Sequence, residues 1–173
     1  AEKPKRYPIF FEVSMQLHKR YHTYIECIPI SEKQGAFQVP GYFKKAMLEQ
    51  GSEWNQNPKL IQLSETRTIR HAIPKGFAYF HVDFGSIVTS QTISTTLSTS
   101  EFYPPPKEKT KTVGYAHTIE NERKFPRCFA HEILGSMLDV HPGEWLKPKF
   151  QPRSKQIEQT QKFIGQWKEY LKQ

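Results

Sequence analysis

Residues 77–84 read Phe77-Ala-Tyr-Phe-His-Val-Asp-Phe84, and their alternation decides the fold class. In a strand, successive side chains point to opposite faces, and aromatic and β-branched residues suit a pleated, half-buried surface. Phe80, Val82 and Phe84 share one face, while Tyr79, His81 and Asp83 share the other. Such a strand belongs to a sheet with one apolar face, and helices must cover that face. Thr112 to Ile119 has the same character and is the expected partner strand. Between them lie 26 residues, Ser86 to Lys111. They are almost all Ser, Thr, Gln and Ile as far as Ser100, then carry Pro104, Pro105, Pro106 and a Lys/Glu run. This composition predicts a long, mobile loop inserted between two paired strands.

Upstream, Tyr7–Leu17 and Tyr21–Ile30 read as an antiparallel pair joined by His18, Lys19 and Arg20. Gly41 to Trp54 reads as an amphipathic helix with Phe43, Ala46, Met47, Gln50 and Trp54 inward, and Pro40 suits its first turn. Leu60–Leu63 is a short strand or turn, and Ser64 is a candidate N-cap for a short helix, Glu65–His71. Downstream, Pro126 to Val140 predicts a helix with Phe129, Ile133, Met137 and Val140 inward, helped by Leu134 and Leu138. A last helix, Ser154–Leu171, carries a docking stripe at Ile157, Thr160, Ile164, Trp167 and Leu171. The expected architecture is α+β: one antiparallel sheet with helices packed on it and a C-terminal docking helix.

A chain of 173 residues suits one domain that buries a real core. An aromatic content of 13% argues against disorder, because disordered chains are poor in aromatics. No apolar run approaches the ~18 residues of a membrane-spanning helix, so no membrane partner is expected. The polar, basic start at Ala1–Arg6 lacks the apolar region of a signal peptide. Two cysteines, Cys27 and Cys128, are expected as buried thiols, and no Asn-x-Ser/Thr acceptor occurs, so an intracellular, reducing compartment is expected. Lys and Arg number 25 against 17 Asp and Glu, a net charge of +8, with both termini positive. That balance favours a polyanionic partner, although solubility alone explains a positive surface.

Candidate chemistry narrows quickly. Neither a phosphate loop, a nucleophile elbow, a Cys-x-x-Cys pair nor a His-Glu-x-x-His motif occurs. His18, His22 and Glu26 could offer two nitrogens and an oxygen to a metal, but residues four apart on a strand, such as His22 and Glu26, lie ~13 Å apart. His81, Asp83 and His117, on adjacent strands, could form a proton-transfer group; polar residues on the wet face of a sheet explain the same letters. In Asn121-Glu-Arg-Lys-Phe-Pro-Arg-Cys-Phe129, three cations, Arg123, Lys124 and Arg127, cluster around a predicted helix N-terminus. Free backbone N–H groups there favour an anion, so the cluster points to a phosphate contact.

Several blocks, in order, resemble the C-terminal region of CwfJ-like proteins. They are Tyr21-His-Thr-Tyr-Ile-Glu-Cys-Ile-Pro29, Tyr42-Phe-Lys-Lys-Ala-Met-Leu-Glu49 with Glu53-Trp54, and Ile73-Pro-Lys-Gly-Phe-Ala-Tyr-Phe-His-Val-Asp-Phe-Gly85. They continue with Gly114-Tyr-Ala-His-Thr-Ile-Glu120, Lys124-Phe-Pro-Arg-Cys-Phe129, and Glu132-Ile-Leu-Gly-Ser-Met-Leu-Asp139 followed by Trp145. The resemblance implies a nuclear splicing factor of late spliceosomes and intron-lariat turnover, with some members partnering the lariat-debranching enzyme. It also implies a fragment of a longer protein. Residues 1–20 would end an upstream histidine-triad-like domain, 21–150 would form the CwfJ-like C-terminal domain, and 151–173 the terminal helix. Two departures stand out. The family joins the strands after Gly85 by a short turn, where this chain has its insertion, and the strand at His22, Tyr24 and Glu26 lacks a histidine alternation.

The favoured expectation is a non-catalytic module that contacts RNA (branched intron or small nuclear RNA) and spliceosomal proteins, without a cofactor or metal. Lys19, Arg20, Lys44, Lys45, Arg123, Lys124 and Arg127 are the expected phosphate contacts, with Tyr21 and Tyr115 as stacking candidates. One alternative is a nucleotide or RNA phosphodiester hydrolase using His22, His81 and His117. A scaffold that binds only protein is the other.

Overall fold

A computed structural model describes residues 5–19, 23–56, 58–85, 87, 112–147 and 149–171. Two compact units emerge, Ala1–Val140 and His141–Gln173, so the division falls ten residues before the expected boundary at 150.

The first unit is built on five antiparallel strands: β1 (Arg6–Ser14), β2 (Ile25–Ser31), β3 (Ile61–Ser64), β4 (Tyr79–Asp83) and β5 (Thr112–Thr118), in the spatial order β2-β1-β4-β5-β3. Residues 6–14, assigned by resemblance to an upstream domain, form a strand hydrogen-bonded to β2 on one side and β4 on the other. The alternation in 77–84 places Phe80 and Val82 on the inner face, opposite Val13 and Phe11 of β1 and opposite His117 and Tyr115 of β5.

Two helices cover that inner face. Helix α1 (Val39–Trp54) buries Val39, Phe43, Met47, Gly51 and Trp54, a spacing of three or four residues that keeps one stripe on the sheet. This stripe uses Gly51 where the sequence suggested Gln50, which is exposed. A short helix on the outer face, α2 (Ile69–Ala72), starts from Thr68 rather than Ser64. Helix α3 (Phe129–Leu138) begins three residues after Pro126 and buries Phe129, Ala130, Leu134 and Gly135. Ile133 and Met137 pack at the margin of the core, and Val140, expected inward, is exposed beyond the helix end.

Rings dominate the core. Trp54 meets Phe125 and Phe129 edge-on at 5.0 and 5.4 Å, and Phe80 meets Phe129 edge-on at 5.1 Å, the T-shaped geometry that ring quadrupoles favour. Of the expected insertion, only Ile87 is described. It is fully buried in this core, so the loop reading fails at that residue, and 88–111 lie outside the described residues. A smaller cluster, Leu63, Ile73 and Ala116, lies on the outer face beneath Ile69 and Ala72 of α2.

The cysteines depart from expectation. Cys27 faces outward from β2, opposite Phe10, and is exposed; Cys128 is half-buried at the start of α3. The reason is register. Residues 26, 28 and 30 of β2 take the inner face, which leaves 25, 27 and 29 outside.

The second unit contains α4 (Gly143–Leu146) and α5 (Arg153–Tyr170). Ile157, Ile164, Trp167 and Leu171 of the apolar stripe are exposed, and Phe163 stacks on Trp167 at 6.4 Å. No described helix is long and apolar enough to cross a membrane.

Candidate nucleic-acid interface

The exit of β1, the end of α1 and the segment after β5 converge at one end of the first unit. They enclose a cleft of about 1160 Å³. Its walls carry His18 and Lys19 from the 3-10 turn Leu17–Lys19, Glu53 to Gln56 from the end of α1, and Glu120 to Phe125 with Arg127 from the approach to α3.

Polar bonds between segments far apart in sequence hold these walls. Asn55, buried just past α1, accepts the Glu120 N–H through Oδ1 (2.8 Å) and donates through Nδ2 to Thr118 Oγ1 (3.0 Å). The Asn121 N–H donates to the Trp54 carbonyl (2.9 Å). Glu120 Oε2 accepts the Gln56 N–H, and Glu122 Oε2 accepts the Gln16 N–H, both at 2.9 Å. Gln16 lies in the left-handed region (φ 54°), a conformation a non-glycine residue keeps only where its surroundings hold it. Two of the three cleft carboxylates therefore serve the walls by accepting backbone N–H groups.

The cations stand differently. Arg123, Lys124 and Arg127 are exposed, and among the described residues none has a carboxylate within ion-pair distance. Asn121 caps the turn that carries Arg123 and Lys124, accepting the Arg123 N–H through Oδ1 (3.2 Å) and the Lys124 N–H through its carbonyl (3.1 Å). Arg123 and Lys124 precede the first residue of α3 by six and five positions, so they sit on a separate turn and not on the helix N-terminus as expected. A helix-terminus field fades within about one turn, so it reaches Arg127, two positions before α3, but adds little at Arg123 and Lys124.

The structure thus brings Lys19, Arg123, Lys124 and Arg127 to one cleft. Lys44 and Lys45 are not part of it. Lys45 lies 3.9 Å from Glu49 on α1 and lines a separate groove beside Tyr42 and Ile133. Arg20, Tyr21 and His22 lie outside the described residues. Tyr115 is no stacking platform, because it is buried on the inner face against Phe84 at 5.1 Å and burial raises its pKa. Sequence reasoning missed Gln16, Asn55, Gln56 and Glu122, whose roles depend on partners tens of residues away.

The two described histidines of the hydrolase alternative, His81 and His117, do not converge. His81 pairs in register with Ala116 on the outer face, whereas His117 pairs with Phe80 on the inner face. His81 Nδ1 lies 3.4 Å from Glu12 Oε1, which also accepts the Tyr79 hydroxyl (3.0 Å). The hydrogen bond from His81 is the main cause holding the Glu12 carboxyl below its ordinary range, and burial is the main cause pushing Tyr79 up to about 12. His117 is 1% exposed; its Nδ1 lies 2.7 Å from the Thr118 carbonyl, an acceptor that assigns the ring N–H to Nδ1, with Trp54 Nε1 and Asn55 Nδ2 at 3.4 and 3.3 Å, and its Nε2 packs against Gly51. Burial lowers its pKa. Among the described residues no three His, Cys, Asp or Glu side chains are grouped to hold a metal ion.

Residues 53–170 match the family model described as "Protein similar to CwfJ C-terminus 2". The chain belongs to this CwfJ C-terminal family. It is 37% identical over 162 residues to CWF19-like protein 2 of Homo sapiens, covering 94% of this chain and 15% of that protein. It is 38% identical over 159 residues to the CWF19-like protein 2 homolog of Caenorhabditis elegans, covering 92% and 28%. To the pre-mRNA-splicing factor cwf19 of Schizosaccharomyces pombe it is 26% identical over 155 residues, covering 82% and 20%. The chain therefore spans under a third of the length of these relatives. The family match takes in every cleft residue from Glu53 onward, while Gln16, His18, Lys19 and Ser52 precede it.

Proposed function

We propose that this domain is a non-catalytic, RNA-contacting module of a nuclear splicing-associated protein. It would act in late splicing, intron-lariat turnover or debranching, with spliceosomal proteins and a lariat-debranching enzyme as companions. A relative named as a pre-mRNA-splicing factor supports the splicing context. The observation that carries the RNA reading is the cleft itself. Three exposed cations line it without a carboxylate in ion-pair distance among the described residues, Arg123 and Lys124 on one capped turn and Arg127 just before α3, while Glu120 and Glu122 are turned to backbone amides. A phosphate chain meets the free charge there, and the acids reinforce the walls. Single-stranded or branched RNA fits such a contact, since phosphate pairing carries no sequence requirement.

A salt titration of fluorescent single-stranded RNA tests this. Each neutralised phosphate contributes about 0.7 to the slope of log K against log salt, so four cleft cations predict a slope of roughly 3. Changing Arg123, Lys124 and Arg127 together to Glu should remove most binding and leave the melting temperature unchanged. Changing Lys155, Lys162 and Lys168 should matter less. If wild type binds without salt dependence, or both triple variants lose equally, the cleft is not the RNA site and a protein-only scaffold replaces this reading. The exposed outer strip of β1 and β2, with Phe10 and Ile25, is the surface a protein partner would use.

A further inference from the structure

A second concavity of about 470 Å³ opens on the outer face of the first unit, within the range of small-ligand sites. Ile69, Ile73, Pro74 and Leu17 supply apolar walls, and Phe77 at the mouth is 53% exposed. Its only charged lining residues are Arg70 and Lys75; neither has a carboxylate within ion-pair distance among the described residues. The polar groups of the floor are already engaged. The Tyr79 hydroxyl donates to Glu12 (3.0 Å), and Ser14 Oγ accepts from Thr23 (3.4 Å).

We propose that this groove binds the unpaired base of a single-stranded nucleotide, with the adjoining phosphate on Arg70 and Lys75. An exposed aromatic ring beside aliphatic walls suits the flat face of a base, and a cationic rim without acids suits its phosphate. A floor whose hydrogen-bonding groups are engaged makes no demand on the base edge, so the site tolerates any base. The position favours a strand over a free nucleotide. The turn Leu17–Lys19 separates the two concavities, with Leu17 lining the groove and His18 and Lys19 lining the basic cleft. A strand crossing this turn would lay phosphates in the cleft and one base in the groove. This last step rests on the RNA reading of the cleft; the groove itself does not.

The test uses the whole 173-residue chain and four probes: adenosine monophosphate, adenosine, single-stranded RNA and an acidic peptide. Adenosine monophosphate should bind in the millimolar range and shift the methyl resonances of Ile69 and Ile73. Phe77→Ala should weaken it about tenfold, the scale of one lost base stack. Phe77 is more than half exposed, so the variant should fold, and an unchanged melting temperature checks that. Arg70→Gln with Lys75→Gln should weaken the nucleotide but not the nucleoside adenosine. On single-stranded RNA, Phe77→Ala should cost about tenfold with the salt slope unchanged, whereas the Arg123 cluster variant lowers the slope. Nucleotide shifts at Ile69 and Ile73 without any RNA binding would uphold the groove and sink the cleft. RNA binding that is salt-dependent but indifferent to Phe77→Ala, with no nucleotide shifts at Ile69 and Ile73, would overturn the groove and leave the cleft standing. Shifts there produced only by an acidic peptide would overturn it as well.

Discussion

Replacing His117 by Asn should flatten the dependence of stability on mild acid. His117 is buried between Trp54 (5.9 Å between ring centroids) and Gly51, with its Nδ1–H committed to the Thr118 carbonyl. Protonating it would place a charge in this core and add an N–H at Nε2, where no partner lies among the described residues. Burial therefore lowers its pKa below the ordinary 6.5, partly opposed by the Thr118 carbonyl and the Glu120 charge. A histidine with a depressed folded-state pKa binds fewer protons in the native chain than in the unfolded one. Its neutral form supports the fold fully above about pH 6.5, and stability is lost below that as the unfolded chain takes up the proton. The loss approaches about 1.4 kcal/mol per pH unit until the native imidazole is itself protonated. For a unit of this size that is roughly 4 to 6 °C of melting temperature per unit. His117→Asn keeps an amide N–H for the Thr118 carbonyl and cannot titrate. It should be less stable than wild type at pH 7.5 yet change less between pH 7 and 5.5. The Glu12 carboxylate, held low by His81, loses its contribution only in the more acidic range below the unfolded carboxylate value, outside this window. Thermal unfolding followed by near-ultraviolet circular dichroism across that range measures both proteins. Parallel curves for wild type and variant would refute the argument, since the acid sensitivity would then come from elsewhere.

Asn55→Ala leaves the Glu120 N–H without its acceptor and Thr118 Oγ1 without its donor, so it should cost about 2 to 3 kcal/mol in urea unfolding. It should also weaken RNA binding by loosening one wall of the cleft. Ile87→Ala removes a fully buried side chain from the main core and should cost about 2 to 4 kcal/mol, where a residue in a free loop would cost almost nothing. Purified protein should show no turnover of dinucleotide or lariat substrates, because His81 and His117 face opposite sides of the sheet; turnover abolished by His22→Ala would restore the hydrolase reading.

Local patterning carried much of the fold. The period-two run 77–84, the spacing Phe43, Met47, Trp54 and the stripe 157–171 each became the expected strand or helix, because side-chain periodicity is imposed by backbone geometry alone. The Arg123, Lys124 and Arg127 cluster was legible for the same reason, as charge on an exposed turn needs no distant partner. What tertiary structure alone decided is how separate segments face one another. Alternation says that Tyr79, His81 and Asp83 share a face, but cross-strand register says which residues of β5 share it, and a one-residue offset separates His81 from His117. Register also turned Cys27 outward and Tyr115 inward. The cleft depends on the Gln16–Glu122 bond, which joins residues 106 apart in sequence, and on Asn55 reaching Glu120. Neither contact leaves a local signature, because a hydrogen bond between distant segments constrains their positions in space and not the residues that neighbour them in the chain.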